Sequence, residues 1–190
     1  TAGSWIVQEK MRVQCYLMAM VPDADGLMQV GMETAYSLTD AKILFGLEPK
    51  CAKAVKKAIA IAGAPSVPAG TYPVVVDPDL CGVFIHEAFG HLSEADHIHA
   101  NPTWQELLPL GRTMGEGFLN VVDSAIGPIC EGGAFSYDDE GVRTQQTYLI
   151  KNGTLNARLH SRETAAALGE APTGNARAIN YRFAPIVRMT

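Results

Sequence analysis

The stretch TQQTYLIKNGTLNARLHSRETAAALG, residues 144–169, decides the fold class. Two runs suited to strands, TQQTYLIKN and TLNARLH, meet at Asn152-Gly153, a dipeptide that favours two-residue hairpin turns because both residues tolerate positive φ. Ser161 then offers a side-chain oxygen to the first backbone N–H groups of RETAAAL, and Gly169 supplies the stop. A hairpin followed directly by a capped helix predicts an α+β fold of antiparallel sheets with packed helices.

Working outward, FLNVVDS at 118–124 reads as a further strand. The first third reads the same way: SWIVQE, MRVQCYLMAMV and GLMQVGMETAY carry apolar residues at alternate positions, and PDADG is a turn cluster. Val13, Cys15, Leu17 and Ala19 would share one face of a meander. From residue 48 to 63 the period changes. Ala52, Val55, Ile59 and Ala62 fall at helical steps, Lys50, Lys53, Lys56 and Lys57 lie mostly elsewhere on a solvated face, and Gly63 can end the helix. TYPVVV (71–76) reads as a buried strand, and Asp77-Pro78 as the N-cap and first residue of a helix running to about Leu92. A loop dotted with Gly and Pro is expected from Asn101 to Gly117. The last twenty residues read as loop with a late extended stretch. The expected division is a strand-rich region over 1–47 and a motif-bearing region over 48–190.

Apolar residues make up 47% of the 190 and charged ones 18%, enough for a core. A net charge of −5 does not suggest a nucleic-acid or anionic-membrane partner. No apolar run approaches a membrane span, and no secretory signal opens the chain, so a cytoplasmic protein is expected. TAGSW at one end and PIVRMT at the other read as cut from something longer. The cysteines, Cys15, Cys51, Cys81 and Cys130, form no C-x-x-C pair and read as reduced packing residues.

FIHEAFGHLSEADHIHANP, residues 84–102, holds four of the five histidines and three carboxylates. A catalytic metal site needs about three protein ligands and an open position for water. A carboxylate nearby takes the proton of that water. In the H-E-x-x-H motif the histidines are four residues apart, about 40° around a helix. His86 and His91 are five apart, which turns their imidazoles about 140° away from each other in a regular α-helix. An i→i+5 turn removes that offset, and Gly90 eases such a distortion. The helix is therefore predicted to leave α geometry between Ala88 and His91. Histidines held only by hydrogen bonds are the alternative. Glu94 and Asp96 are within reach as a third ligand, and His97 and His99 would share a face if extended. The residues alone force no choice.

GVFIHEAFGHLSEAD resembles the H-E-A-x-G-H segment of the TldD/PmbA zinc metallopeptidases. The likeness continues through YPVVVDP, YDDEG, YLIKNGTL, LHSRETAAALGEAPTGNARA and PIVRMT, in order over roughly residues 50–190. The resemblance implies a zinc-dependent peptidase acting on peptides or unstructured segments, with His86 and His91 as zinc ligands and Glu87 as general base. It places the third ligand, a cysteine, beyond residue 190, so this stretch alone is expected to be inactive. It also implies a homodimer or a heterodimer with a family paralogue. Two alternatives stand beside it: a non-catalytic, peptide-binding partner subunit, and a hydrolase of small amides. Asp138-Asp139-Glu140 reads as a solvated turn before a cation site, and His160 as structural before an oxyanion donor. Arg162, Arg177 and Arg188 read as surface pairing residues.

Overall fold

The computed structural model describes residues 3–126 and 135–190, so the expectation for Cys130 lies outside the described residues. It is a mixed α and β structure with antiparallel sheets, as expected, and divides into two compact units: residues 9–74, and residues 1–8 with 75–190.

In the first unit, strands β1 (Val13–Pro22) and β2 (Met28–Ser37) form one antiparallel ladder, from Val13 opposite Ser37 to Pro22 opposite Met28. Asp23 holds the turn by accepting from the N–H groups of Asp25 and Leu27. SWIVQE does not join this ladder. Helix α1 (Glu48–Ala62) covers one face of the hairpin. The boundary expected between residues 47 and 48 falls inside this unit, because α1 packs on the strands before it.

The face that α1 buries is not the one its sequence suggests. Ala54 and Ala58 are buried, while Val55 and Ile59 are exposed. Gly31 is the cause. A Cβ there would overlap the Ala54 carbonyl and the Ala58 backbone nitrogen, so helix and strand backbones meet too closely for a larger side chain between them. The lysines stay exposed, as expected, but reach back over the sheet: Lys53 and Lys57 pair with the buried Glu33, and Lys50 Nζ donates to the Thr34 carbonyl at 2.7 Å. A buried carboxylate needs such partners, and the apolar stems of lysine can lie along the sheet.

TYPVVV is not a buried strand. Val74, Val75 and Val76 are exposed and the segment has no ladder partner among the described residues. An apolar run becomes a strand only where another edge satisfies its backbone. Cys15, Cys51 and Cys81 are free thiols, as expected, but they are not packing residues: Cys51 and Cys81 are exposed and Cys15 is half-buried.

In the second unit, β3 (Val121–Ser124), β4 (Gln146–Lys151) and β5 (Thr154–Leu155) form an antiparallel sheet in that order. The turn between β4 and β5 has Asn152 at φ 50° and Gly153 at φ 75°, as the Asn-Gly pair predicts. Helix α5 (Arg162–Leu168) begins at Ser161, whose hydroxyl accepts from the Thr164 N–H, and ends at Gly169 with φ 68°. Helix α2 (Pro78–Ile85) starts where Asp77 Oδ1 accepts from the Leu80 N–H at 2.8 Å. The loop expected from Asn101 starts later, because α4 (Pro102–Leu107) follows α3 (Ala95–Ala100) directly. Asn101 caps α4 and Pro102 occupies its first position. A two-residue pair, β6 (Ala176–Arg177) and β7 (Ile186–Val187), includes the late extended stretch. The core gathers Leu149, Ile150, Leu155, Leu159, Ile98 and Phe89. No helix among the described residues is long and apolar enough to cross a membrane.

Candidate metal centre

Helix α2 does not continue as an α-helix through the motif. His86–Gly90 is a π turn, followed by a 3-10 turn at His91–Ser93. The bond that defines the π turn joins the two candidate ligands themselves: the His91 N–H donates to the His86 carbonyl. The distortion read from the five-residue spacing is thus present at the expected place. It brings the His86 and His91 rings edge-to-face, with centroids 4.8 Å apart.

Gly90 contributes differently from what the sequence suggests. Its backbone is ordinary right-handed helix, φ −55° and ψ −50°, so conformational freedom is not needed. Space is needed instead, because a Cβ would overlap the Met189 sulfur. The turn is pinned from below by buried Phe89, by Met189 packed under Gly90, and by Ser93 Oγ donating to the Gly90 carbonyl at 2.6 Å. His86 and Glu87 consequently face outward.

The ligand atoms of His86, Glu87 and His91 can lie within 4.8 Å of one another. His91 Nε2 is 4.0 Å from Glu87 Oε2 and makes no hydrogen bond among the described residues. Two imidazoles with uncommitted nitrogens, beside an exposed carboxylate, suit a borderline metal such as zinc with room left for water. None of the described cysteines joins this cluster. An open cleft of about 410 Å³ adjoins His91, lined by His97, Ala100, Asn101 and Trp104 among others.

Glu94 and Asp96, the ligand candidates left open, are committed elsewhere. Glu94 accepts from His91 Nδ1 at 3.2 Å, the side of the ring away from Glu87, and Asp96 Oδ2 accepts from the Val187 N–H at 3.1 Å. His97 and His99 lie on α3, two residues apart on a helix, so they do not share a face. The Asp138-Asp139-Glu140 turn is used internally: its carboxylates accept from the N–H groups of Val142, Ala178 and Arg162. Arg162 is exposed. Arg177 is instead half-buried, donating to the Met189 carbonyl and lying over the Phe135 ring. His160 is buried, with both ring nitrogens satisfied by Thr164 and Glu170, and burial lowers its pKa despite the nearby carboxylate.

What fold and site define together is an α+β protein that presents two histidines and a glutamate on a π turn, the side-chain set of a metal-dependent hydrolase. The family model for the PmbA/TldA metallopeptidase C-terminal domain matches residues 69–190, more than half of the chain, and the chain belongs to this family. A metalloprotease of Synechocystis is 49% identical over 90% of this chain and 37% of its own length. The zinc metalloprotease TldD homolog of Saccharolobus solfataricus is 41% identical over 64% of this chain and 27% of its own. A candidate modulator of DNA gyrase from Thermotoga maritima has the same fold, with a TM-score of 0.65 and 27% identity over 90% of this chain and 38% of its own. The chain therefore spans well under half the length of these relatives.

Proposed function

We propose that this chain carries the zinc-ligating turn of a metallopeptidase that hydrolyses peptides or unstructured protein segments. The observation that carries the reading is the π turn, which joins His86 to His91 and leaves His91 Nε2 open beside Glu87. His86 and His91 would hold the ion, with a cysteine beyond residue 190 as the third ligand. The name of the Saccharolobus relative supports zinc. Bound zinc would acidify a water molecule and polarise the substrate carbonyl. Glu87, exposed and one residue from His86, takes the proton of the attacking water and returns it to the leaving amine. The cleft beside His91 and Trp104 can seat a substrate side chain. Exposed apolar residues on α2, among them Leu80, Val83 and Phe84, support burial against further protein, consistent with a homodimer or a heterodimer with a paralogue.

The test is zinc stoichiometry and affinity of the full-length protein and its His91→Ala variant. One tightly bound ion, lost or weakened at least a hundredfold in the variant, is the expected result. Tight zinc binding that survives His91→Ala would refute the assignment. Metal-free protein that still binds peptide would favour the non-catalytic partner reading.

A further inference from the structure

Glu94 is an acid the proposed chemistry does not use, yet its side chain is only 3% exposed. Its position is fixed by backbone pairing on both sides. The Leu159 N–H donates to the Ser93 carbonyl and the Ala95 N–H donates to the Leu159 carbonyl, each at 2.9 Å. This parallel bridge draws residue 94 inside. Its Oε2 then meets His91 Nδ1 at 3.2 Å and lies 3.4 Å from His97 Nε2, while Oε1 accepts from the Met189 N–H at 3.4 Å.

An ionised carboxylate only accepts hydrogen bonds, so the nitrogen facing it must carry a proton. In the neutral ring, the form that binds a metal, that assigns the Nδ1–H tautomer to His91 and leaves the lone pair on Nε2, the nitrogen that faces Glu87. Metal-bound histidines commonly donate their other N–H to a carboxylate, which fixes the ring and raises its basicity. We infer that Glu94 is a positioning residue: it holds His91 in the tautomer and orientation that present Nε2 to the metal, and is not itself a ligand of that ion. This rests on the zinc reading above. Low exposure strengthens the effect, because little water competes for Nδ1.

The experiment uses the full-length protein with zinc affinity measured by chelator competition, and with cobalt(II) as a spectroscopic stand-in for zinc. Glu94→Ala should weaken zinc binding roughly 10–100-fold and leave the cobalt ligand-field bands where they are. Glu94→Gln keeps the shape and a carbonyl that can accept from Nδ1–H, so it should recover much of the loss. Unchanged affinity in Glu94→Ala, or Glu94→Gln binding no tighter than Glu94→Ala, would overturn the inference. Displaced cobalt bands would overturn it too, by making Glu94 a ligand. Failure of the zinc reading looks different, because the unsubstituted protein would then bind no zinc.

Discussion

His91 and His160 both meet a buried or half-buried glutamate, at 3.2 and 3.1 Å, and the resemblance ends there. His160 donates from Nε2 to Glu170 and accepts the Thr164 hydroxyl at Nδ1, so both nitrogens are used and the ring is 1% exposed. Arg158 reinforces the cluster by pairing with Glu170 and donating to the Leu108 carbonyl at 2.6 Å. His91 has the opposite tautomer, with Nδ1 closed and Nε2 open. The difference teaches that a histidine–glutamate contact does not mark a site. What marks it is the nitrogen left over, together with whether that nitrogen points to a surface that a metal and a substrate can reach.

The largest effect expected from this contrast is chemical. Glu87→Gln in the full-length protein should lower peptide hydrolysis at least about 100-fold. The melting temperature should barely move, because Glu87 is an exposed surface residue. Comparable turnover in the variant would show that Glu87 is not the base.

Glu170→Ala should reverse the pattern, leaving the rate per folded molecule intact while removing about 3 kcal/mol of stability in urea unfolding. It strands the Arg158 guanidinium, which is 8% exposed, without its carboxylate. A change below 1 kcal/mol would mean that water or a shifted side chain replaces Glu170.

A subtler perturbation reaches the π turn from beneath. Gly90→Ala pushes Met189 out of its place under the π turn and should cost about 1–2 kcal/mol. Adding Met189→Ala should relieve part of that cost. Strictly additive effects in the double-mutant cycle would show that the two residues are not in contact.

The smallest expected effect is a pH dependence. Burial, the largest influence, lowers the His160 pKa, and the Glu170 hydrogen bond and charge only partly oppose it. The unfolded chain therefore takes up this proton at about pH 6.5, while the folded chain does not. The contribution to stability is complete above that pH and is lost as pH falls towards the lower folded pKa. His160→Gln should flatten the slope of the urea midpoint between about pH 7.5 and 5.5. An unchanged slope would assign the acid sensitivity to other groups.

Local chemistry was legible. Asn152-Gly153, Ser161 with Gly169, and Asp77-Pro78 each name their turn or cap because the interacting atoms lie within a few residues. The π turn was legible for a stricter reason, since five-residue spacing cannot bring two ligands together on an α-helix. Glu94 was visible only as a nearby acid. Its spacing of three from His91 and three from His97 was the available signal, but the Leu159 bridge that buries it lies 65 positions away and leaves no mark on the local pattern. α1 shows the same limit: its apolar stripe marks a helix, yet Gly31, on another element, chose which face went inside.

The sequence by itself determined the helical and strand segments that carry their own caps and turns, the α+β class, and the distortion between His86 and His91. Only the tertiary structure decided which acid binds a backbone, which meets His91 Nδ1 and which stays exposed beside His91 Nε2. The physical reason is that a carboxylate's role depends on what its oxygens face and how dry they are. Both are set by Leu159, Val187 and Met189, residues brought in from far along the chain.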